Sequence, residues 1–183
     1  MSQTSAQFDD AVALCRDVFA KKLNDYGPSW RILRPESVTD QLYIKAKRIR
    51  TLQTTGTSAV GEGIFPEFMA IVNYAVIGLI QLSLGVADAK DISPDEAIAL
   101  YDARIAEAKA LMTAKNADYG EAWRLMRVGS YTDFILTKIE RVKEIEENQG
   151  RTTVSEGIDS NYYDMLNYAV FGIIKLTEQS QPQ

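Results

Sequence analysis

The polar residues that could hold a metal ion lie close together near the C-terminus of the chain. Glu156 and Asp159 lie near the start of a predicted helix, and Asp164 and Asn167 share one face of it because they are three residues apart. Side-chain oxygens are the ligands that Mg²⁺ prefers in proteins. We therefore expect Glu156, Asp159 and Asp164 to bind Mg²⁺, and Asp164 and Asn167 to be the catalytic residues.

Each of these residues also has a structural interpretation, which stays open. Acidic residues such as Glu156 and Asp159 near a helix N-terminus stabilise the helix dipole without any ligand. An asparagine such as Asn167 inside an apolar helix can hydrogen-bond a neighbouring helix through its amide. The residue types alone do not separate the two interpretations.

Three basic residues upstream could neutralise the charge of a phosphate. Lys138 falls inside an apolar stripe at helical spacing, and Arg141 lies at the edge of that stripe. Lys115 takes the inward position at the end of another stripe. A lysine on a core-facing stripe is costly unless it is paired or faces a polar cavity. Two interpretations stay open: an anion-binding pocket, and a structural ion pair or a side chain that reaches out to solvent.

Two aromatic residues lie beside Lys115, in the stretch AKNADYGEAWR. Tyr119 and Trp123 could stack on a nucleotide base, so we include them among the candidate ligand-binding residues. The alternative is that they only pack beside Gly120, which is placed to end the preceding helix.

The chain contains a tandem duplication, since KKLNDYGPSWR has the same internal spacing as AKNADYGEAWR. After one inserted residue, NYAVIGLIQL in the first copy meets NYAVFGIIKL in the second. The basic residues that recur are Lys22 with Lys115, Lys45 with Lys138, and Arg48 with Arg141.

The first copy keeps the three cations but lacks two of the predicted metal-binding acids. Phe65 and Ala70 stand where the second copy has Asp159 and Asp164. We therefore expect any metal-dependent chemistry in the second copy. The first copy is either scaffold or lends its cations to a pocket at the seam between the copies.

Three helices are predicted in each copy from apolar positions at helical spacing. In chain order, the first helix covers about residues 8–25 and 94–118, the second starts near Thr39 and Thr132, and the third follows Gly63 and Gly157. Ser93 is the predicted capping residue before 94–118. No strand-like alternation is sustained. We predict an all-α fold of two tandem three-helix repeats, packed as one pseudo-two-fold helical bundle.

We place the first repeat at residues 1–90 and the second at 91–183, within one compact unit. The most apolar run, Ile64–Val86, is interrupted by polar residues, so we predict a buried helix and no membrane span. The N-terminal residues lack the basic and apolar regions of a signal peptide. The sequence leaves open whether the protein forms a homodimer, because a duplication can provide within one chain what other proteins obtain by dimerising.

The composition excludes several kinds of site. The chain has no histidine, which rules out histidine-based triads, bases and metal sites. Its formal net charge is -5, so we expect no broad nucleic-acid-binding surface. Cys15 is the only cysteine, so no intramolecular disulfide forms, and its apolar helical position predicts a core residue. A cytoplasmic location fits this cysteine usage.

The order of these motifs resembles the nucleotide modification associated domain 1 family, a bacterial and phage domain of unknown function. In the second copy the resemblance rests on Lys115, Tyr119, Gly120, Trp123, Lys138, Arg141, Glu156, Asp159, Asp164, Asn167 and Tyr168. In the first copy it rests on Lys22, Tyr26, Gly27, Trp30, Lys45, Arg48, Glu62, Asn73 and Tyr74. The resemblance implies a link to nucleotide or DNA-base modification.

A more distant likeness is to the MazG-like all-α nucleoside triphosphate pyrophosphohydrolases, which hold Mg²⁺ with acids on two helices. Glu140, Glu144, Glu147 and the Asp164-x-x-Asn167 pair match that layout in part, with asparagine in place of the final acid. These resemblances imply a nucleotide-binding helical protein, with Mg²⁺-dependent hydrolysis of a (deoxy)nucleoside triphosphate as its activity. The alternative is a non-catalytic binding or assembly module whose shared polar residues are structural.

Overall fold

The structure, a computed structural model, describes residues 2–56 and 63–180. Within these ranges the chain forms six α-helices, two short 3-10 turns and no strand, so the all-α prediction is confirmed. The helices are α1 (Gln3–Tyr26), α2 (Pro35–Thr55), α3 (Phe65–Leu84), α4 (Pro94–Tyr119), α5 (Val128–Glu147) and α6 (Ile158–Ser180). Glu62, which the sequence aligns with Glu156, lies outside the described residues.

Most helix ends follow from local sequence. Ser93 caps α4 as predicted: its hydroxyl accepts from the Glu96 amide, and the Glu96 side chain accepts from the Ser93 amide. Gly27 and Gly120 follow the last residues of α1 and α4 with positive φ angles of 68° and 58°, a conformation that glycine adopts at no steric cost.

The second helix of each repeat begins earlier than predicted. α2 starts at Pro35 and α5 at Val128, where the sequence prediction placed the starts near Thr39 and Thr132. The threonines lie one turn inside their helices. The Thr39 hydroxyl donates to Glu146 Oε1 at 2.7 Å, and the Thr132 hydroxyl lies 3.5 Å from the Val128 carbonyl. Pro35 suits a first helical position, since its missing amide hydrogen has no partner to lose there.

The repeated Trp-Arg pair lies in a 3-10 turn that the sequence did not predict. These turns, Ser29–Ile32 and Ala122–Leu125, join the first and second helices of each repeat. Equivalent side chains hold them from the third helix: Gln81 Nε2 donates to the Arg31 carbonyl at 3.0 Å, and Lys175 Nζ donates to the Arg124 carbonyl at 2.7 Å. The pair therefore marks a joint between helices.

One hydrophobic core runs through both repeats. α3 packs against α2 and α6, α5 packs against α2 and α6, and α1 and α4 lie across α3 and α6. Cys15 lies in this core as predicted, and burial raises the pKa of its thiol to about 12. α3 is long and apolar enough to cross a membrane, yet 61% of its most apolar stretch is buried inside the protein. Its apolar length therefore contributes to the core.

The central helices α3 and α6 approach closely at two glycines. A Cβ atom on Gly78 would lie 2.7 Å from Tyr162 Cε2, and one on Gly172 would lie 3.0 Å from Phe68 Cε1. The contacts are reciprocal in the repeat, because Gly78 aligns with Gly172 and Phe68 aligns with Tyr162. Each repeat thus contributes one glycine and one aromatic ring to the crossing.

We expect Gly78→Ala to lower the free energy of unfolding by roughly 1–3 kcal/mol, because the added methyl group would overlap the Tyr162 ring. Urea unfolding followed by circular dichroism measures the change. Gly129→Ala is the control, since nothing lies within 4 Å of a Cβ at that position. An equal loss in both variants would show that the close packing at Gly78 is not the cause.

Candidate functional site

The second repeat pairs its two lysines with one acid. Lys115 Nζ donates to Asp164 Oδ1 at 2.5 Å, and Lys138 Nζ donates to Asp164 Oδ2 at 2.6 Å. The three residues come from α4, α5 and α6, so this bridge ties together all helices of the repeat. The Asp164 side chain is 14% exposed and the Lys138 side chain 15%. Both carboxylate oxygens are thus engaged by cations in a half-buried position.

In this bridge, the effect of the lysine charges on the pKa of Asp164 is larger than the opposite effect of burial. Burial raises the pKa of Asp164, but the hydrogen bonds and positive charges of Lys115 and Lys138 lower it further, so the pKa lies below its usual value. For Lys115, burial lowers the pKa and the bond to Asp164 raises it, with a net increase. Asp164 is therefore a firmly ionised ion-pair partner.

The inward position predicted for Lys115 is wrong. Its side chain is 55% exposed, and Lys22 in the first repeat is exposed as well. The buried face of α4 passes through Ala108 and Met112, and Leu111 in the predicted stripe is 42% exposed. Lys115 lies beyond the end of that face and reaches back to Asp164. The inward prediction for Lys138 is confirmed.

The two aligned asparagines join helices. Asn167 Nδ2 donates to the Ala108 carbonyl at 3.1 Å, and Asn73 Nδ2 donates to the Cys15 carbonyl at 3.0 Å. Asn73 Oδ1 also accepts from the Tyr101 hydroxyl at 2.8 Å. These bonds give both residues a structural task, and the catalytic role of Asn167 stays a prediction.

The three predicted metal ligands lie in different surroundings. Asp164 is held between two lysines. Glu156 is exposed, lines a cavity with Arg141 and helps to raise the pKa of Lys115, whereas Asp159 borders a separate hollow with Arg104. Among the described residues, no group of three or more acidic or cysteine side chains is placed to hold a metal ion. Mg²⁺ binding stays a prediction that would need these acids to move together.

The aromatic candidates differ in exposure. Trp123 is 5% exposed and stacks on Phe171, with ring centroids 4.3 Å apart and an interplanar angle of 6°. Tyr119 is 73% exposed and lies at the end of α4. Of the two, only Tyr119 offers a ring face to solvent.

Two of the three cations of the first repeat pair with an acid that was not predicted from the sequence. Glu67 on α3 pairs with Lys45 at 3.5 Å and with the Arg48 guanidinium, and its side chain is 4% exposed. It aligns with Asn161 and lies one helical turn before Ala70, the counterpart of Asp164. The signal was available, since half-buried cations on α2 require an acid on a facing helix. Glu67 was not predicted because it does not lie at the position that aligns with Asp164.

A cavity of about 640 Å³ opens in the first repeat, between α1, α2, α3 and the 3-10 turn. Its wall is mostly apolar, and Ala70 and Ile77 form part of it. The polar and aromatic described residues that line it are Phe19, Lys22, Tyr26, Ser29, Trp30, Lys45, Glu67, Asn73 and Tyr74. Lys22 makes no hydrogen bond or ion pair within the part of the chain that the structure describes.

The second repeat has larger or charged residues at the aligned positions. Ile77 aligns with Phe171, whose ring stacks on Trp123, and Ala70 aligns with Asp164, which takes both lysines. Tyr168 is stacked on Phe134 with centroids 5.5 Å apart. Its counterpart Tyr74 has no ring partner among the described residues. The first repeat thus has smaller and uncharged side chains where its cavity opens.

A second, more polar cavity of about 770 Å³ lies in the second repeat, between α5 and the segment before α6. Lys138, Arg141, Arg151 and Glu156 line it, so the structure brings together three of the predicted residues here. Lys138 points its ammonium group to Asp164, and two further acids, Glu140 and Glu144, also border the space. The cavity therefore has mixed charge.

Comparison with known families matches two segments of the chain. The family model described as Nucleotide modification associated domain 1 matches residues 22–82 and again residues 115–176. The two segments fall in the two repeats, consistent with a tandem duplication. No curated protein and no solved structure matches the chain. The likeness to the MazG-like enzymes stays a prediction.

We expect Asp164→Asn to lower the free energy of unfolding by roughly 1–3 kcal/mol at neutral pH, because Lys138 would lose its charged partner. The lowered pKa means that the contribution of Asp164 is full above its unfolded pKa of about 3.9 and is lost as the pH falls through the folded value. The difference between variant and parent should therefore shrink below about pH 4.

Urea unfolding over a pH series measures this difference. Asp133→Asn is the control, since Asp133 pairs with Arg50 at 3.4 Å while both side chains are more than half exposed. We expect its effect to stay below about 1 kcal/mol. If Asp164→Asn were as stable as the parent at neutral pH, the bridge would not stabilise the fold.

Proposed function

The chain belongs to the nucleotide modification associated domain 1 family, and we propose that it binds a nucleotide in the 640 Å³ cavity of the first repeat. The observation that carries the proposal is Lys22, a cation without a partner among the described residues, at the rim of an apolar and aromatic cavity. Small-molecule pockets usually measure about 300–1,000 Å³ and combine apolar walls with a few polar groups.

Lys22 and Lys45 are the proposed phosphate contacts. Lys22 extends from the last turns of α1, and Lys45 comes from α2, so two different helices contribute a lysine to the cavity lining. Lys45 Nζ lies 3.5 Å from Glu67 Oε2, which is longer than a strong hydrogen bond. An anion that came closer would therefore compete for this ammonium group. An ammonium–phosphate contact is a charge-assisted hydrogen bond, stronger than a neutral one.

Tyr26 and Tyr74 are the proposed base contacts. Both line the cavity, and neither has a ring partner among the described residues. Desolvation is the main reason that the pKa of Tyr26 is raised, and the charges of Tyr74 and Asp25 raise it further. Base–aromatic stacking tolerates any base, because every base has a π-face. The pair therefore supports binding of the nucleotide class and does not select the base.

Binding is the activity that these contacts support best. Among the described residues that line the cavity, Glu67 is the one carboxylate. Its Oε1 accepts from Arg48, and its Oε2 lies 3.5 Å from the Lys45 ammonium without a hydrogen bond among the described residues. A general base must be within reach of a water molecule and able to accept its proton. Hydrolysis and the Mg²⁺ requirement stay predictions from the family resemblance, so Mg²⁺ is a variable in the test.

We expect Lys22→Met to weaken nucleotide binding about ten-fold, which corresponds to about 1.4 kcal/mol for a lost charged contact. Isothermal titration of (deoxy)nucleotides, with and without Mg²⁺, measures the affinity. Lys115→Met is the matched control in the second repeat and should bind as the parent does. Binding lost in Lys115→Met and kept in Lys22→Met would place the site in the second repeat, and the absence of any binding nucleotide would overturn the proposal.

A second pair of variants tests the base contact. We expect Tyr26→Ala to weaken binding by roughly 1–3 kcal/mol through lost stacking, whereas Tyr119→Ala, at the aligned position, should have no effect. Both tyrosines are at least 47% exposed, so neither substitution should disturb the core. Equal affinities of the two variants in titration would contradict the placement of the base.

A further inference from the structure

The second repeat contains an anion where the first repeat has space. Asp164 presents one oxygen to Lys115 at 2.5 Å and the other to Lys138 at 2.6 Å. The first repeat keeps both lysines, as Lys22 and Lys45, and replaces the acid by Ala70, which lines the cavity.

We infer that the Asp164 carboxylate occupies the place that a ligand phosphate takes in the first repeat, and that this ligand is a nucleoside monophosphate. The inference rests on the proposed function and names its ligand class. Two oxygens of a phosphate can accept from Lys22 and Lys45 as the two carboxylate oxygens accept from Lys115 and Lys138. In the second repeat the equivalent site is then occupied by the Asp164 side chain.

The position of the acid in the first repeat agrees with this arrangement. Glu67 lies one turn before Ala70 and pairs with Lys45 and Arg48. This acid pairs with both cations of α2 but not with Lys22, which stays without a partner among the described residues. Residue 70 thus decides whether the space between the two lysines holds protein or ligand.

The charge of the cavity favours one phosphate over three. Among the described residues, the charged ones that line it are Lys22, Lys45 and Glu67, with one net positive charge. A phosphate monoester carries about −1.5 to −2 charges at neutral pH, which Lys22 and Lys45 can contact together. The additional phosphates of a triphosphate would add negative charge with no further cation among the described residues of the lining, and uncompensated charge beside an apolar wall is costly.

Exchanging the residues at the two aligned positions tests the inference. Ala70→Asp should weaken monophosphate binding at least ten-fold, because the new carboxylate would take both lysines, whereas Ala70→Asn, of equal size and no charge, should weaken it less. In the parent, the tightest-binding deoxynucleoside monophosphate should bind about ten-fold tighter than its triphosphate. Titration calorimetry without Mg²⁺ measures all of these affinities, and circular dichroism checks that each variant is folded.

Asp164→Ala provides a second readout that needs no nucleotide. It should create an anion site in the second repeat, so inorganic phosphate should raise its unfolding temperature more than that of the parent at equal ionic strength. If Asp164→Ala does not fold, Asp164→Asn replaces it. Lys115→Met in the same background should remove the gain.

The outcomes distinguish a failure of the proposed nucleotide binding from a failure of the inference about the phosphate. Parent protein that binds no nucleotide, together with phosphate stabilisation of Asp164→Ala, would overturn the proposed function and support the equivalence of carboxylate and phosphate. Nucleotide binding that Ala70→Asp leaves unchanged, or that is tighter for the triphosphate, would overturn the inference while the proposed function stands. A phosphate effect equal in Asp164→Ala and the parent would also overturn it.

Discussion

The ammonium group of Lys138 lies in a half-buried position on α5, where it is stable only beside a negative charge. Desolvation of a cation costs free energy that a nearby anion must offset. In the second repeat Asp164 provides the anion and takes Lys115 as well. In the first repeat Glu67 pairs with Lys45 and Arg48, whereas Lys22 lines the cavity. The position of one acid on the third helix, together with Ile77 in place of Phe171, therefore accompanies the cavity of the first repeat.

The frame that holds these charges in place is the crossing of α3 and α6. Gly78 and Gly172 let the two helices approach until the rings of Tyr162 and Phe68 cover the glycines. Side chains on the outer faces of α3 and α6 then meet α2 and α5, which carry Lys45 and Lys138. Because both repeats share one core, a polar site in one repeat can be lost while the fold is retained. This arrangement leaves room for the two copies to diverge in function.

Much of the fold could be predicted from the sequence, because duplication and helical periodicity are local signals. The capping by Ser93 and the inward position of Lys138 follow from spacing alone. The exposure of Lys115 could not be predicted, since a stripe does not show where the facing helix ends. The partner of Lys45 was missed because ion pairs between helices depend on the crossing geometry of α2 and α3. The cavity depends on the combined absence of bulk at Ala70 and Ile77, which no single position shows.

The central claim is that a nucleotide phosphate lies between Lys22 and Lys45 above Ala70. A crystal structure of the protein with a bound deoxynucleoside monophosphate tests it most directly. The account predicts electron density for the phosphate within hydrogen-bonding distance of both ammonium groups, density for the base beside Tyr26 and Tyr74, and an unchanged Asp164 bridge in the second repeat. Phosphate density between Lys115 and Lys138, or beside Arg141 and Arg151, with an empty cavity in the first repeat, would contradict it.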